Sequence, residues 1–97
     1  MNHEKLDTFQ LAIELAVLTY EVTSKGAMKF NFALKDQVHR SVISVASNIA
    51  EGVRRKSFKD KARFLDYALS SLAEADCQVL IGYRINQINQ HDYNCLK

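Results

Sequence analysis

The chain has 97 residues, 47% hydrophobic and 25% charged, with a formal net charge of +2, three Gly, no Pro, no Trp and two Cys. With no Pro and little Gly, the turns needed by a sandwich or barrel of many short strands are missing, so the composition predicts one all-α domain over residues 1–97. No apolar run approaches the roughly 18 residues of a membrane span, Met1 to Lys5 lack the regions of a signal peptide, and two cysteines make no disulfide framework, which together predict a cytoplasmic protein with reduced thiols.

The first predicted helix runs from Leu6 to Val22 and carries two apolar stripes. Leu6, Phe9, Ile13, Ala16 and Tyr20 form the stripe assigned to the core. Leu11, Leu15, Leu18 and Val22 form the other, and at about 100° per residue the two point in nearly opposite directions. Burying one in a small bundle leaves the other in water, so the second stripe is expected to be an oligomer interface. Gly26 stands where a left-handed residue ends this helix.

The second helix is expected from Phe32 or Leu34 to Glu51, stopping at Gly52, with Leu34, Val38, Val42, Val45 and Ile49 as its core stripe. Beside it lie Gln37, Ser41, Ser44 and Asn48, small or amide-bearing residues that suit a polar seam between helices or subunits, with a ligand site as the alternative. Ser57 followed by Asp60 resembles a capping box and starts the third helix at Phe58. Its core stripe is Phe58, Ala62, Leu65, Leu69, Leu72, Val79 and Tyr83, running to about Asn86, and a second line of Phe64, Ala68, Ser71, Ala75 and Gly82 suits close helix packing. Asp76 falls within the apolar stripe and is expected to face a partner or the bundle end, because an unpaired buried carboxylate is costly. The tail offers a cap at Asp92 and a turn or two beyond it. The fold class is thus an antiparallel up-and-down helix bundle, three long helices plus a short or truncated fourth.

Charge is concentrated rather than large. Arg54, Arg55, Lys56, Lys59, Lys61 and Arg63 face a single acid, Asp60, for a local net of +5 against −3 in the remainder. Cations at a helix N-terminus oppose its dipole by about 0.3–1 kcal/mol each, which suggests an anion nearby, and free amides at that end attract phosphate. The expectation is a non-enzymatic oligomeric scaffold that contacts RNA or DNA backbone through these six residues. The alternative is a structural or protein-protein interaction oligomer without nucleic-acid binding, in which the segment is a solvated loop or pairs with a neighbouring subunit. His3, His39 and His91 are scattered, and His91 with Cys95 makes too poor a ligand set, so neither metal nor cofactor is expected.

The run Ser44, Val45, Ala46, Ser47, Asn48, Ile49, Ala50, Glu51, Gly52, followed by Arg54 and Arg55, resembles the signature of a bacterial family. This is the four-helix-bundle family related to the protein encoded in intervening sequences of 23S ribosomal RNA. Gln37 and Arg40 upstream agree with it, as do Phe64, Leu65, Ala68, Ser71, Leu72, Glu74, Gly82 and Tyr83 downstream. The resemblance implies a small four-helix bundle assembled into a homo-oligomeric ring, often a pentamer; neither a membrane nor a small-molecule substrate is expected as a partner. A distant relative is the accessory protein of diversity-generating retroelements, which works with a reverse transcriptase and nucleic acid. Within the motif, Gln37, Arg40, Ser44, Asn48, Glu51, Gly52 and Glu74 are expected to be structural, with Glu51 and Glu74 accepting hydrogen bonds from Asn48, Gln37 or Arg40. Three departures stand out: Val38 and His39 precede Arg40 where two adjacent Arg are usual, Ser70 replaces a common Gly, and Lys97 is reached only a turn or two into a fourth helix. Subunit contacts are therefore expected to matter more for bundle closure.

Overall fold

A computed structural model describes residues 6–96. The readings of Met1 to Lys5 and of His3 lie outside the described residues. Four α-helices follow one another: α1 (Asp7–Thr23), α2 (Phe32–Arg54), α3 (Phe58–Arg84) and α4 (Gln90–Leu96), with a 3-10 helix at Gly26–Phe30. The starts of α2, α3 and α4 follow from side-chain caps, whereas α1 begins after Leu6 without one. Asn31 accepts from the Leu34 amide at 3.2 Å, Ser57 from the Asp60 amide at 3.1 Å, and Asn89 from the Asp92 amide at 2.8 Å. Asp92 is therefore not the cap of α4 but a buried member of it, paired with Lys25 at 3.4 Å. Gly26 does adopt a left-handed φ of 62°, although it lies beyond the helix cap at Ser24 and opens the 3-10 helix instead.

The helices stand at the corners of a square prism of 44 × 20 × 19 Å. α2 packs on α1 and, most extensively, on α3; α4 touches α3 and α1, which make no comparable contact with each other. Neighbours run antiparallel. Thr23 at the end of α1 meets His39 near the start of α2, and Gly52 near the end of α2 meets Phe64 near the start of α3.

The α2 stripe behaves as its spacing predicts, with Val38, Val42 and Val45 buried. α1 and α3 do not. In α1 the buried residues are Ala12, Thr19, Val22 and Thr23, on the arc between the two leucine-bearing stripes. Threonine serves there as an apolar residue because its hydroxyl is satisfied by the helix itself: Thr19 donates to the Leu15 carbonyl at 2.7 Å and Thr23 to the Thr19 carbonyl at 2.9 Å. Ile13 and Tyr20, assigned to the core, are exposed, while Val22, assigned to an interface, is in the core with Leu15 and Leu18 packed against it. In α3 the small line supplies buried Ala68, Ala75 and Gly82 and the predicted core stripe supplies Val79, while Phe58, Leu65, Leu69 and Leu72 are exposed. Close approach is the physical reason. The Ser44 and Ser71 hydroxyls bond directly across α2 and α3 at 2.7 Å, so small residues meet at that level, while Val38, Val42 and Val79 pack together nearer the other end.

Gly52 belongs to this seam rather than to a C-cap. α2 continues through it to Arg54, and a Cβ built on it would lie 3.2 Å from the Phe64 Cβ and 3.6 Å from the Lys61 carbonyl oxygen. An Ala in a free helix gains about 1 kcal/mol over Gly. Here the anchored Phe64 Cβ opposes that gain, and Gly52→Val should lower stability by about 1–3 kcal/mol through overpacking; an unchanged melting temperature would show that the helices separate freely at this point.

His39 marks the α1–α2 contact. Its ring stacks on Tyr20 at 3.7 Å and its Nε2 lies 2.8 Å from the Thr23 hydroxyl oxygen. Burial, reinforced by the positive charge of Lys35 and opposed by Asp36, lowers its pKa below the ordinary 6.5. Because the folded pKa is the lower one, the unfolded chain takes up the proton first and stability falls as pH drops below about 6.5. Chemical denaturation of the wild type and His39→Gln between neutral and mildly acidic pH should show a steeper loss for the wild type; parallel curves would remove His39 from the pH response.

Candidate nucleic-acid interface

The basic segment forms one end of the prism, where α2 hands the chain to α3. Arg55 caps α2 in an extended conformation and Ser57 caps α3, so the backbone reverses within a few residues. Arg54 lies in the last turn of α2, a favourable place for a cation, whereas Lys59, Lys61 and Arg63 lie at the start of α3, where only Asp60 suits the dipole.

The six predicted cations divide into two sets. Arg55, Lys61 and Arg63 are held within the fold. The Arg55 guanidinium donates to Glu51 at 2.6 Å and lies 4.7 Å from the Phe64 ring centroid. Its Nε is buried without a partner, so the ion pair and the ring contact carry this side chain. Arg63 lies 5.3 Å from the same ring and pairs with Asp60 at 3.5 Å. The Lys61 ammonium donates to the Val53 carbonyl at 3.1 Å, satisfying one of the carbonyls that the end of α2 leaves open. Arg54, Lys56 and Lys59 are exposed and join no ion pair among the described residues. They are the charges free to meet an external anion. Phe58, read from its spacing as a core residue, is 90% exposed between Ser57 and Lys59. Its place in the first turn of α3, beyond the reach of α2, is what puts it in water, and a bare ring among free cations can stack on a nucleobase.

Of the motif residues, Ser44, Asn48 and Glu51 hydrogen-bond within the fold, in a different pattern from the one expected. Asn48 donates to the Ser44 carbonyl at 2.8 Å and to the Ser44 hydroxyl at 2.9 Å, thereby holding the hydroxyl that reaches Ser71. Gln37 is exposed, and its carbonyl accepts from buried Ser41 at 3.0 Å. Arg40 pairs with Asp36 at 3.1 Å. Glu51 takes Arg55 as its partner rather than Asn48, Gln37 or Arg40, because a helical spacing of four aligns the two side chains. Glu74 is exposed and joins no ion pair among the described residues. Of the predicted interface residues, Leu11 is 65% exposed, Leu15 and Leu18 are half-buried, and Val22 is withdrawn into the core.

Cys77 and Cys95 are free and exposed. Among the described residues no three His, Cys, Asp or Glu side chains gather as for a metal ion, and the His91 Nε2 lies 3.9 Å from the Cys95 sulfur. Among the described residues no helix is long and apolar enough to cross a membrane. Compared with known proteins, residues 4–97 match the family model described as 23S rRNA-intervening sequence protein. No curated protein matches the chain.

Proposed function

We propose, from the premise that this chain belongs to the 23S rRNA-intervening sequence protein family, that it is a non-enzymatic homo-oligomeric scaffold contacting RNA or DNA backbone through the α2–α3 turn. One observation carries the reading: Arg54, Lys56 and Lys59 are displayed together, exposed and outside the ion pairs that hold their neighbours. Cations spent on a structural role would pair within the fold, as Arg55 and Arg63 do. The Phe58 ring beside them adds a stacking surface that tolerates any base. Affinity at one turn is weak, and several copies in an assembly raise it when one strand reaches more than one of them. For the assembly itself, the outer face of α1 and α2 presents Ile13, Val17, Tyr20 and Ile43 to solvent, a patch suited to a second copy. That same patch supports the alternative, an oligomer that binds protein alone.

Fluorescence anisotropy with long single-stranded RNA at about 50 mM salt should show binding whose log affinity falls with log salt at a slope near −0.7 per neutralised phosphate. The triple variant Arg54→Glu, Lys56→Glu, Lys59→Glu should lose most of this binding and keep both its helicity and its mass in light scattering. Absence of wild-type binding, or equal binding by the variant, would leave the protein-only oligomer in its place.

A further inference from the structure

The connector between α1 and α2 leaves its aromatic side chains in water. Met28 enters the core at 1% exposure, whereas Phe30 and Phe32 are each 69% exposed. Asn31 between them is pinned: its side-chain amide donates to the Gln87 side chain at 2.7 Å, and its side-chain oxygen accepts from the Leu34 amide at 3.2 Å. Phe30 closes the 3-10 helix and Phe32 opens α2, so an anchored backbone holds both rings out. One bare ring is ordinary on a protein surface; two on either side of a fixed residue make a patch.

The patch is cationic. Residues Ser24 to Lys35 include three lysines and no acid. Lys25 is engaged by Asp92 at 3.4 Å. The other two ammoniums lie over the rings, Lys29 at 5.7 Å from the Phe30 centroid and Lys35 at 5.3 Å from that of Phe32. Lys35 also donates to the Lys29 carbonyl at 3.0 Å, which ties the two pairs together. Neither lysine joins an ion pair among the described residues, and the adjoining Asp36 is taken by Arg40 at 3.1 Å. At the same end of the prism Glu21, in the last turn of α1, is offset by exposed Arg84, in the last turn of α3. Cations interleaved with bare rings suit a strand whose bases are free to stack and whose phosphates follow close behind. A lipid surface suits them less: sinking the rings would carry both ammoniums below the headgroups, an expensive burial of charge, whereas a base stacked on a ring leaves them in water beside its phosphate.

We infer that the α1–α2 connector is a second binding site, for single-stranded nucleic acid, in which Phe30 and Phe32 stack on unpaired bases while Lys29 and Lys35 meet the adjoining phosphates. A duplex keeps its base faces covered, so this site selects single strands. Phe32 and Arg54 stand at opposite ends of α2, about 33 Å apart at 1.5 Å per residue. The connector thus shares the ligand class of the proposed function but none of its residues. One strand held at both ends loses most of its affinity when either contact is removed.

The probe is a fluorescein-labelled RNA of about 20 nucleotides without self-complementarity, long enough at about 3.4 Å per nucleotide to reach both ends of the protein, with 5-iodouridine in place of uridine. Irradiation of its complex with the 97-residue chain, followed by digestion and mass spectrometry, should place crosslinks on Phe30 or Phe32. In anisotropy at about 50 mM salt, Phe30→Ser with Phe32→Ser should weaken single-strand binding by about tenfold or more and leave binding of a duplex of equal length unchanged, while Phe30→Tyr with Phe32→Tyr should restore the wild-type affinity. Crosslinks confined to Phe58, with the serine variant binding as the wild type does, overturn the connector site and leave the α2–α3 turn standing. Crosslinks confined to the connector support this site and count against that turn. Absence of wild-type binding overturns both. A serine variant that changes mass in light scattering, or that loses binding to phosphatidylserine vesicles while keeping its RNA affinity, assigns the rings to a second copy or to a lipid surface and overturns the connector site as well.

Discussion

The Ser44 and Ser71 hydroxyls bond directly between α2 and α3 at 2.7 Å, so the two helices approach closely at that level, and α1 and α4 pack around this pair. Ala68, Ala75 and Gly82 on α3 and Gly52 on α2 supply the small surfaces it requires. Asn48 fixes the Ser44 hydroxyl from the next turn, so the bond between helices is backed by one within α2. A hydrogen bond of this kind is worth about 0.5–1.5 kcal/mol net, less than the burial of one large side chain. Its importance is geometric, since it lies on the small-residue face of α3 that turns inward, a choice of face that leaves Leu65, Leu69 and Leu72 outside.

That decision explains what could be read from the residues alone and what could not. Valines at Val38, Val42 and Val45 mark the inner face of α2 correctly, because α2 is flanked on two sides and its face follows the most apolar arc. The capping pair Ser57 and Asp60 marks the start of α3 correctly, since an N-cap acts over one turn and needs no tertiary information. Hydrophobic periodicity fails on α1 and α3 for one shared reason. It ranks leucine above alanine and threonine, whereas packing ranks residues by how near they let a neighbour come. Thr19 and Thr23 are buried with their hydroxyls spent on the preceding turn, a satisfaction invisible to any hydropathy scale.

The basic turn was legible as composition but not as geometry. Six cations in one segment stand out by number, yet nothing in their spacing reveals that Lys61 closes the end of α2 or that Arg55 and Arg63 share the Phe64 ring. Only the reversal of the chain at Arg55 to Ser57 brings residues of two helices together there. The same holds for Gly52, which on its position suggests a helix stop but is a contact surface for Phe64.

The two ends of the prism also differ in how their contacts span the chain. At the basic end, α2 and α3 are joined by a short turn, so their contact there, such as Gly52 with Phe64, closes short loops of sequence. At the other end, the Asn31 side-chain amide reaches the Gln87 side chain at 2.7 Å, tying the turn before α4 to the start of α2 across more than half of the chain, while Tyr83 stacks on Tyr93 at 4.3 Å to hold α4 on α3. Loop-closure entropy orders these events. On that ground the α2–α3 turn is expected to close first, α1 to dock through its own threonine-lined face, and α4 to close last. Opening of the native protein is expected to run in reverse, beginning at α4.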